Sequence, residues 1–232
     1  MLTTNRPLIQ RPWVIPLGLL TVGFVAYSLL PYLGLNPDNA RVALRDGFPL
    51  HYPLLVAHIF LGSVALLAAC LQVWPWLRQN HPTVHRRSGR VYVCVAVPAG
   101  LFAIGLSPHT LMGLNAQVGN VLFGIVWVTA TVVGFRMARQ HRFTEHRVWM
   151  VRSFALAFAI VVNRLWMPLC ILTLAPDGPR MLQEQAAGLS MWLSWVGNLL
   201  IAEWWLHHTH NRARKRAADN PADTAHKAPV GA

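Results

Sequence analysis

Residues 53–77 read PLLVAHIFLGSVALLAACLQVWPWL, an apolar run that contains no Asp, Glu, Lys or Arg. An α-helix needs about 20 such residues to cross the hydrocarbon core of a bilayer, and this run exceeds that length. Because backbone polar groups in lipid must be satisfied within the segment, the run is predicted to be a transmembrane helix. Five similar stretches lie before and after it. The six predicted spans are near residues 13–33, 53–77, 91–112, 118–138, 148–174 and 189–208.

The composition of the whole chain agrees with a membrane protein. Of its 232 residues, 54% are hydrophobic and 12% are charged, and the charged residues are concentrated between the apolar runs. The connections are short, so no separate soluble domain is predicted. We therefore expect an all-α integral membrane protein in which residues 1–210 form one bundle of six transmembrane helices. Residues 211–232 are predicted to be a basic, disordered cytoplasmic tail.

The formal net charge of +12 comes from cations that lie in alternate connections. Lys and Arg are abundant before the first predicted span, between the second and third, between the fourth and fifth, and after the sixth. The other connections contain only Arg41, Arg45 and Arg180. The positive-inside rule then predicts that both termini are cytoplasmic. This charge is interpreted as a topology signal and as an attraction to anionic lipid headgroups, and no nucleic-acid partner is expected.

The first apolar segment leaves two interpretations open. Its basic start, its apolar centre and the small residues Ala26 and Ser28 are typical of a signal peptide with a cleavage site. The apolar run continues to Leu33, however, which is longer than most signal-peptide cores. A retained first helix is therefore favoured over a cleaved leader.

Three histidine-containing motifs stand at the ends of predicted spans. They are His58-x3-Gly62, His85-Arg86-x2-Gly89-Arg90-x-Tyr92, and His146-Arg147-x-Trp149-Met150-x-Arg152 followed by Arg164. In these motifs, residues 50–170 resemble the predicted bacterial membrane proteins of the family DUF2306, a domain of unknown function. The resemblance implies a multi-helix protein of the bacterial inner membrane, and it implies no particular activity.

His58 and Arg164 are predicted to lie at similar depth in the outer half of the membrane. Because a guanidinium or an imidazole that faces lipid is costly, both side chains are expected to point into the bundle. His58 is then a candidate ligand of haem iron or a hydrogen-bonding partner of a quinone, and an ordinary hydrogen-bonded core histidine is an equal alternative. His109, at the outer end of the third span, is a second candidate ligand at this height.

Arg164 needs a partner, because a guanidinium is stable in hydrocarbon only when it is paired. The candidates are a bound anion, a carboxylate of an outer loop, or backbone carbonyls that Pro168 releases from their helical hydrogen bonds. Glu203, the one acidic residue inside a predicted span, lies in the inner half instead. It is at the depth of Arg152, and these two residues are predicted to form a structural ion pair.

The inner connections combine histidine with arginine. His85 and His146 are the candidate cofactor-binding residues there, and the surrounding positive charge favours a haem propionate, a phosphate or a lipid headgroup over a bare metal ion. No metal site is predicted, and an ordinary topology signal explains the same arginines without a ligand. The predicted basic cytoplasmic face consists of Arg86, Arg87, Arg90, Arg142 and Arg147.

Three classes of function are consistent with these residues. The first is electron transfer by a protein that binds haem b or a quinone, and in this respect the chain is loosely similar to transmembrane b-type cytochromes. The second is transport or binding of a small anion or lipid. The third is a non-catalytic accessory role in contact with another membrane subunit or a second copy of the chain. Whether the protein is an enzyme stays open.

Overall fold

The computed structural model describes residues 13–219, and all regular secondary structure in this part of the chain is helical. The predicted all-α class is therefore confirmed. Short 3₁₀ turns are formed by Leu30–Tyr32, Pro37–Asn39 and Ser107–His109. The α-helices are α1 (Val14–Leu29), α2 (His51–Val73), α3 (Pro75–Asn80), α4 (Pro82–Leu106), α5 (Gly113–Arg139), α6 (Phe143–Ala157), α7 (Ala159–Leu174) and α8 (Arg180–Asp219).

Five segments of the described chain are long and apolar enough to cross a membrane. They are Val14–Tyr32, His51–Val73, Pro82–His109, Gly113–Arg139 and Phe143–Leu174, and the last of these combines α6 with α7. The five segments overlap the first five predicted spans, so a membrane protein with several crossings is confirmed. The helix α8 is the longest in the chain and is not one of the five.

The helix α4 begins earlier than the third predicted span. The span was expected to start at residue 91, whereas α4 starts at Pro82, and proline is favoured in the first turn of a helix because its missing N–H needs no partner there. His85 and the arginines that follow it therefore lie on the first turns of a helix and not in a loop. Their side chains are held at defined positions on α4.

Two other boundaries differ from the predicted ones. The fifth span is divided at Phe158, where the backbone N–H groups of Val161 and Val162 both donate to the Phe158 carbonyl, at 3.1 and 3.2 Å. The helix α8 continues to Asp219, so residues 211–219 of the predicted disordered tail are helical. The remainder of that tail, residues 220–232, and residues 1–12 lie outside the described part of the chain.

The helices pack mostly against their neighbours in the chain. The helix α2 packs against α1 and α4, α5 packs against α4, α6 and α8, and α7 packs against α8. We call the end of the bundle at which α4 and α6 begin the basic end, because the arginine-rich connections lie there, and the opposite end the far end. Both α4 and α6 run away from the basic end, so these two helices are parallel.

Small residues allow α4 to approach its neighbours closely. Ala99 of α4 and Ala69 of α2 are almost completely buried. On the other side of α4, a Cβ atom added to Gly100 would overlap the Cγ2 atom of Val128 in α5. Helices in membranes associate mainly through such close packing, because lipid tails are as apolar as the side chains that they replace.

Replacing Gly100 by alanine is expected to destabilise the bundle by about 1–3 kcal/mol, because the added methyl group must displace Val128 or separate α4 from α5. Gly105→Ala is the matched control, since no atom lies within 4 Å of a Cβ atom added at that position of the same helix. The control is expected to be neutral or to stabilise the helix by up to about 1 kcal/mol. Unfolding of both variants in mixed detergent micelles measures the difference, and equal stabilities would contradict the close α4–α5 contact.

Candidate functional site

A buried network of hydrogen bonds sets the register of α4, α5 and α6. The Tyr92 hydroxyl of α4 lies 2.6 Å from the Ser153 hydroxyl of α6 and accepts a hydrogen bond from Nε1 of Trp127 in α5 at 3.3 Å. The Thr131 hydroxyl of α5 lies 2.7 Å from the Ser153 hydroxyl. All four residues are buried. Because polar groups in the membrane interior must find partners within the protein, this network favours one relative position of the three helices.

His85 lies in the first turn of α4 and His146 in the first turn of α6, so both are at the basic end. His85 precedes Tyr92 by seven residues, and His146 precedes Ser153 by the same number. Since Tyr92 contacts Ser153, the two histidines lie at one level, about 10 Å closer to the basic end at 1.5 Å per residue. The two imidazoles are close enough to interact electrostatically. The structure thus brings together two of the predicted cofactor-binding residues.

The two imidazoles differ in their hydrogen bonds within residues 13–219. Nδ1 of His146 lies 2.8 Å from the carbonyl oxygen of Gly134 in α5. A carbonyl can only accept, so Nδ1 carries a proton and donates it, and this is also the hydrogen bond made by histidines that ligate a metal through Nε2. Nδ1 of His85 is buried and has no hydrogen-bond partner within residues 13–219. A buried polar atom of this kind requires an explanation, and a bound group would supply one.

Arginine and glutamine side chains surround the histidine pair. The guanidinium groups of Arg78 and Arg86 also act electrostatically on the His85 imidazole. The Gln72 amide of α2 donates to the His85 carbonyl at 2.9 Å and to the Ser88 hydroxyl at 2.6 Å, which attaches the first turns of α4 to α2. The pair therefore has fixed backbone positions in a positively charged environment.

The predicted basic cytoplasmic face is an exposed surface around this pair. The guanidinium of Arg142 forms a salt bridge with Glu145 that is open to solvent. The guanidinium of Arg147 lies over the Trp205 ring of α8, 5.5 Å from its centroid. The exposed residues of this face are Arg86, Arg87, Arg90, Arg142 and Arg147.

His58 and Arg164 do not form the predicted buried site. Nδ1 of His58 lies 2.9 Å from the Ala99 carbonyl oxygen, so this imidazole belongs to the interface between α2 and α4. Arg164 is exposed on α7, which packs against α8, and the next residue, Leu165, is 73% exposed. His58 points into the bundle as an ordinary hydrogen-bonded histidine, whereas the expectation that Arg164 points inward is wrong. The buried face of α7 carries Asn163, and Arg164 is rotated from it by about 100° around the helix.

Arg164 lies near the level at which α5 begins, toward the far end of the bundle. The side-chain oxygen of Asn163 accepts a hydrogen bond from Ser190 of α8 at 3.0 Å, and Trp192 of α8 donates to Asn115, in the first turn of α5, at 2.9 Å. A long arginine side chain at this level can extend to the lipid headgroups, so its charge needs no buried partner. The main support for an anion pathway at Arg164 is thereby lost.

His109 is not paired with His58 either. Its ring stacks on the Phe48 ring, with 4.2 Å between the ring centroids. The His51 imidazole is also near it. Nδ1 of His51 accepts the backbone N–H of Arg45 at 2.9 Å. These contacts hold the loop before α2 against the end of α4, so the predicted ligand His109 takes part in loop packing at the far end.

Arg152 and Glu203 form the ion pair that the sequence predicts. Nε of Arg152 lies 2.5 Å from one carboxylate oxygen, and Nη2 lies 3.1 Å from the other. The guanidinium carbon is also 4.6 Å from the ring centroid of Trp149. Inspection of the sequence missed the groove of about 450 Å³ between α5, α6 and α8 that this pair lines.

The histidine pair is better suited to haem iron than to a bare metal ion. Within residues 13–219, no group of three or more His, Cys, Asp or Glu side chains is placed to hold a bare metal ion. Haem iron requires only one or two axial ligands from the protein, because the porphyrin supplies four nitrogens. Two imidazoles beside guanidinium groups are therefore suited to haem, whose propionates are anionic.

Residues 55–206 match the family DUF2306, which is described as a predicted membrane protein. The chain belongs to this family. The match begins in α2 and ends in α8, so it includes both histidines of the pair and the Arg152–Glu203 ion pair. No curated protein and no solved structure matches the chain. The resemblance seen in the histidine motifs is confirmed, and the description of the DUF2306 family names no activity.

The polar network of this DUF2306 protein and the common level of the two histidines were not predicted from the sequence. A signal was present in the repeated His-Arg motif. In both copies a hydroxyl side chain, Tyr92 or Ser153, follows the histidine by seven residues, which is two helical turns. That spacing places each hydroxyl on the same face of its helix as the histidine.

Proposed function

We propose that this DUF2306 protein is an electron-transfer protein of the bacterial inner membrane that binds a b-type haem between His85 and His146. The observation that carries the proposal is the buried Nδ1 atom of His85, which has no partner among the described residues and lies at the level of His146. The contact between Tyr92 and Ser153 supports it further, because it holds the two helices that would supply the ligands.

Haem suits this pair better than a bare metal ion. A zinc site takes three or four protein ligands, whereas a low-potential haem in an electron-transfer protein takes two axial ligands. Arg78 and Arg86 can donate to the propionate carboxylates and balance their charge. A bound haem would supply a one-electron iron couple, and the protein would hold both imidazoles and exclude water from them.

The direct test is the absorption spectrum of the protein purified from membranes, recorded in the oxidised and the dithionite-reduced state. We expect sharp α and β bands and a shifted Soret band on reduction, with about one haem for each chain, as one pair of axial histidines implies. A preparation that lacks these bands after expression with added haem would contradict the proposal.

The topology that accompanies this proposal has six crossings, with α8 as the sixth and both termini in the cytoplasm. Two contacts support it, because they align α8 antiparallel to the middle of the α6–α7 span. Asn198 of α8 donates to the Ala155 carbonyl at 3.0 Å, and Ser190 bonds Asn163 closer to the far end. The basic end then faces the cytoplasm, and its exposed arginines contact anionic lipid headgroups.

Cysteine labelling in intact cells tests this topology. Asp177 lies in the exposed connection between α7 and α8, and Arg212 is exposed near the end of α8. A membrane-impermeant maleimide is expected to label Asp177→Cys in intact cells and to label Arg212→Cys only after the cells are permeabilised. Labelling of both variants in intact cells would show that α8 does not cross.

A further inference from the structure

The groove between α5, α6 and α8 is mostly apolar and open along one side. Its walls include Ile125, Val126, Leu156 and Leu199, and it has a volume of about 450 Å³. Ile125 is exposed on the surface of the bundle, in the apolar part of α5. Because that surface faces lipid in a membrane, a ligand could enter the groove sideways from the bilayer. The volume is in the range of sites that bind small organic molecules.

Polar groups are confined to one part of this groove. The Arg152–Glu203 pair is only partly covered, with 25% of the arginine side chain and 43% of the glutamate side chain exposed. Thr129 of α5 also lines the groove. Arg152 uses Nε and Nη2 for Glu203, so Nη1 still has N–H groups to donate, and the carboxylate keeps free lone pairs.

The charge of these groups limits the kind of ligand. Arg152 and Glu203 neutralise each other, so an anionic headgroup would gain attraction from the arginine and repulsion from the carboxylate beside it. A neutral ring that carries carbonyl or hydroxyl oxygens meets no such conflict. A carbonyl can accept from the guanidinium, and a hydroxyl can donate to the carboxylate.

We infer that this groove binds the headgroup of a membrane-soluble quinone, with the apolar tail directed along α5 and α8 into the lipid. Arg152 lies six residues beyond His146 on α6, which places the groove about 9 Å deeper in the membrane than the histidine pair. The Trp149 ring, which lies under the guanidinium, forms an aromatic wall on which a flat ring can pack. The inference does not depend on the binding of haem.

Binding is tested with two probes that share a tail, a benzoquinone with a decyl chain and decylbenzene, titrated into the purified protein in nanodiscs. The wild-type protein is expected to bind the quinone at least about tenfold more tightly, since hydrogen bonds to charged groups are worth this much. In Arg152→Met/Glu203→Leu, which keeps an apolar groove and removes its charged groups, the two probes should bind about equally. A tenfold preference that survives in this double variant would overturn the inference.

A second pair of variants tests the location. Leu199→Trp fills the groove without changing the ion pair, and it is expected to weaken quinone binding about tenfold or more, because an overfilled site must be distorted to admit the ligand. Leu200→Trp is the matched control, because Leu200 is 64% exposed and does not line the groove. Equal binding by these two variants would overturn the assignment, as would equal binding of both probes by the wild-type protein, which would indicate a site for lipid tails.

The haem spectrum of the same preparations separates this inference from the proposed function. A colourless protein that prefers the quinone would support the groove and contradict the haem. A protein with haem bands that shows no preference between the probes would support the haem and overturn the quinone site.

Discussion

His146→Ala is expected to reduce the haem content of the purified protein to less than about one-tenth of the wild-type value, because it removes an imidazole that would hold the iron. His85→Ala is expected to have the same effect. His146 is expected to hold the haem through Nε2, because its Nδ1 atom donates a hydrogen bond to the Gly134 carbonyl. The contribution of His85 rests on its buried nitrogen, which lacks a partner within residues 13–219. The reduced-minus-oxidised spectrum, normalised to protein, measures the loss.

Two other histidines serve as controls for this experiment. His141 is exposed at the same end of the bundle, and its replacement by alanine should leave the haem bands unchanged. His58 bonds the Ala99 carbonyl, away from the pair, so His58→Ala should lower stability without removing the bands. Haem that is retained in His146→Ala and lost in His58→Ala would contradict the site at the basic end and restore the outer-half site.

Glu203→Leu is expected to destabilise the bundle by about 2 kcal/mol, because it leaves the Arg152 guanidinium, which is three-quarters covered, unpaired in an apolar groove. The double variant Arg152→Met/Glu203→Leu removes both charges and fills a similar volume. Its free energy of unfolding is expected to remain within about 1 kcal/mol of the wild-type value, because the cost of removing the two charges from water and their mutual attraction are lost together. The single substitution should therefore be far more harmful than the double one.

Unfolding in mixed detergent micelles, followed by circular dichroism, measures these differences. Glu145→Leu is the matched control, because Glu145 also pairs with an arginine, Arg142, but both side chains of that pair are about half exposed. An exposed pair contributes about 1 kcal/mol or less, so this control should change stability little. If Glu203→Leu were no more harmful than Glu145→Leu, the pair in the groove would be as open to water as the one at the surface.

Much of the fold follows from properties that can be read along the chain. Apolar length predicts the spans, and five of them coincide with described segments that are long and apolar enough to cross a membrane, because the need to satisfy backbone polar groups in lipid acts on each segment separately. The boundary of α4 was predicted less well. The arginines after Pro82 were assigned to a loop because they are charged, although charge does not prevent a helix from extending beyond the hydrocarbon into the headgroups.

The candidate site was predicted only in part. The sequence identifies four of its residues, His85, His146, Arg152 and Glu203, from their type and depth; the structure pairs Arg152 with Glu203 and places the two histidines at one level. Arg164 was assigned to the interior because a charge in a span is costly. The structure instead places it on an exposed face of α7, near the level at which α5 begins, and hydropathy alone cannot distinguish an exposed face from a buried one.

The amino-acid sequence by itself determined that the chain forms membrane-crossing helices, and it predicts the polarity of the bundle, since segment length and the distribution of charge are local quantities. Only the tertiary structure decided which face of each helix is buried and which residues share a level. One residue rotates a side chain by about 100° and moves it by about 1.5 Å, so small differences in packing change its neighbours. The Tyr92–Ser153 contact, between residues distant in sequence, sets this register and thereby places His85 and His146 at one level.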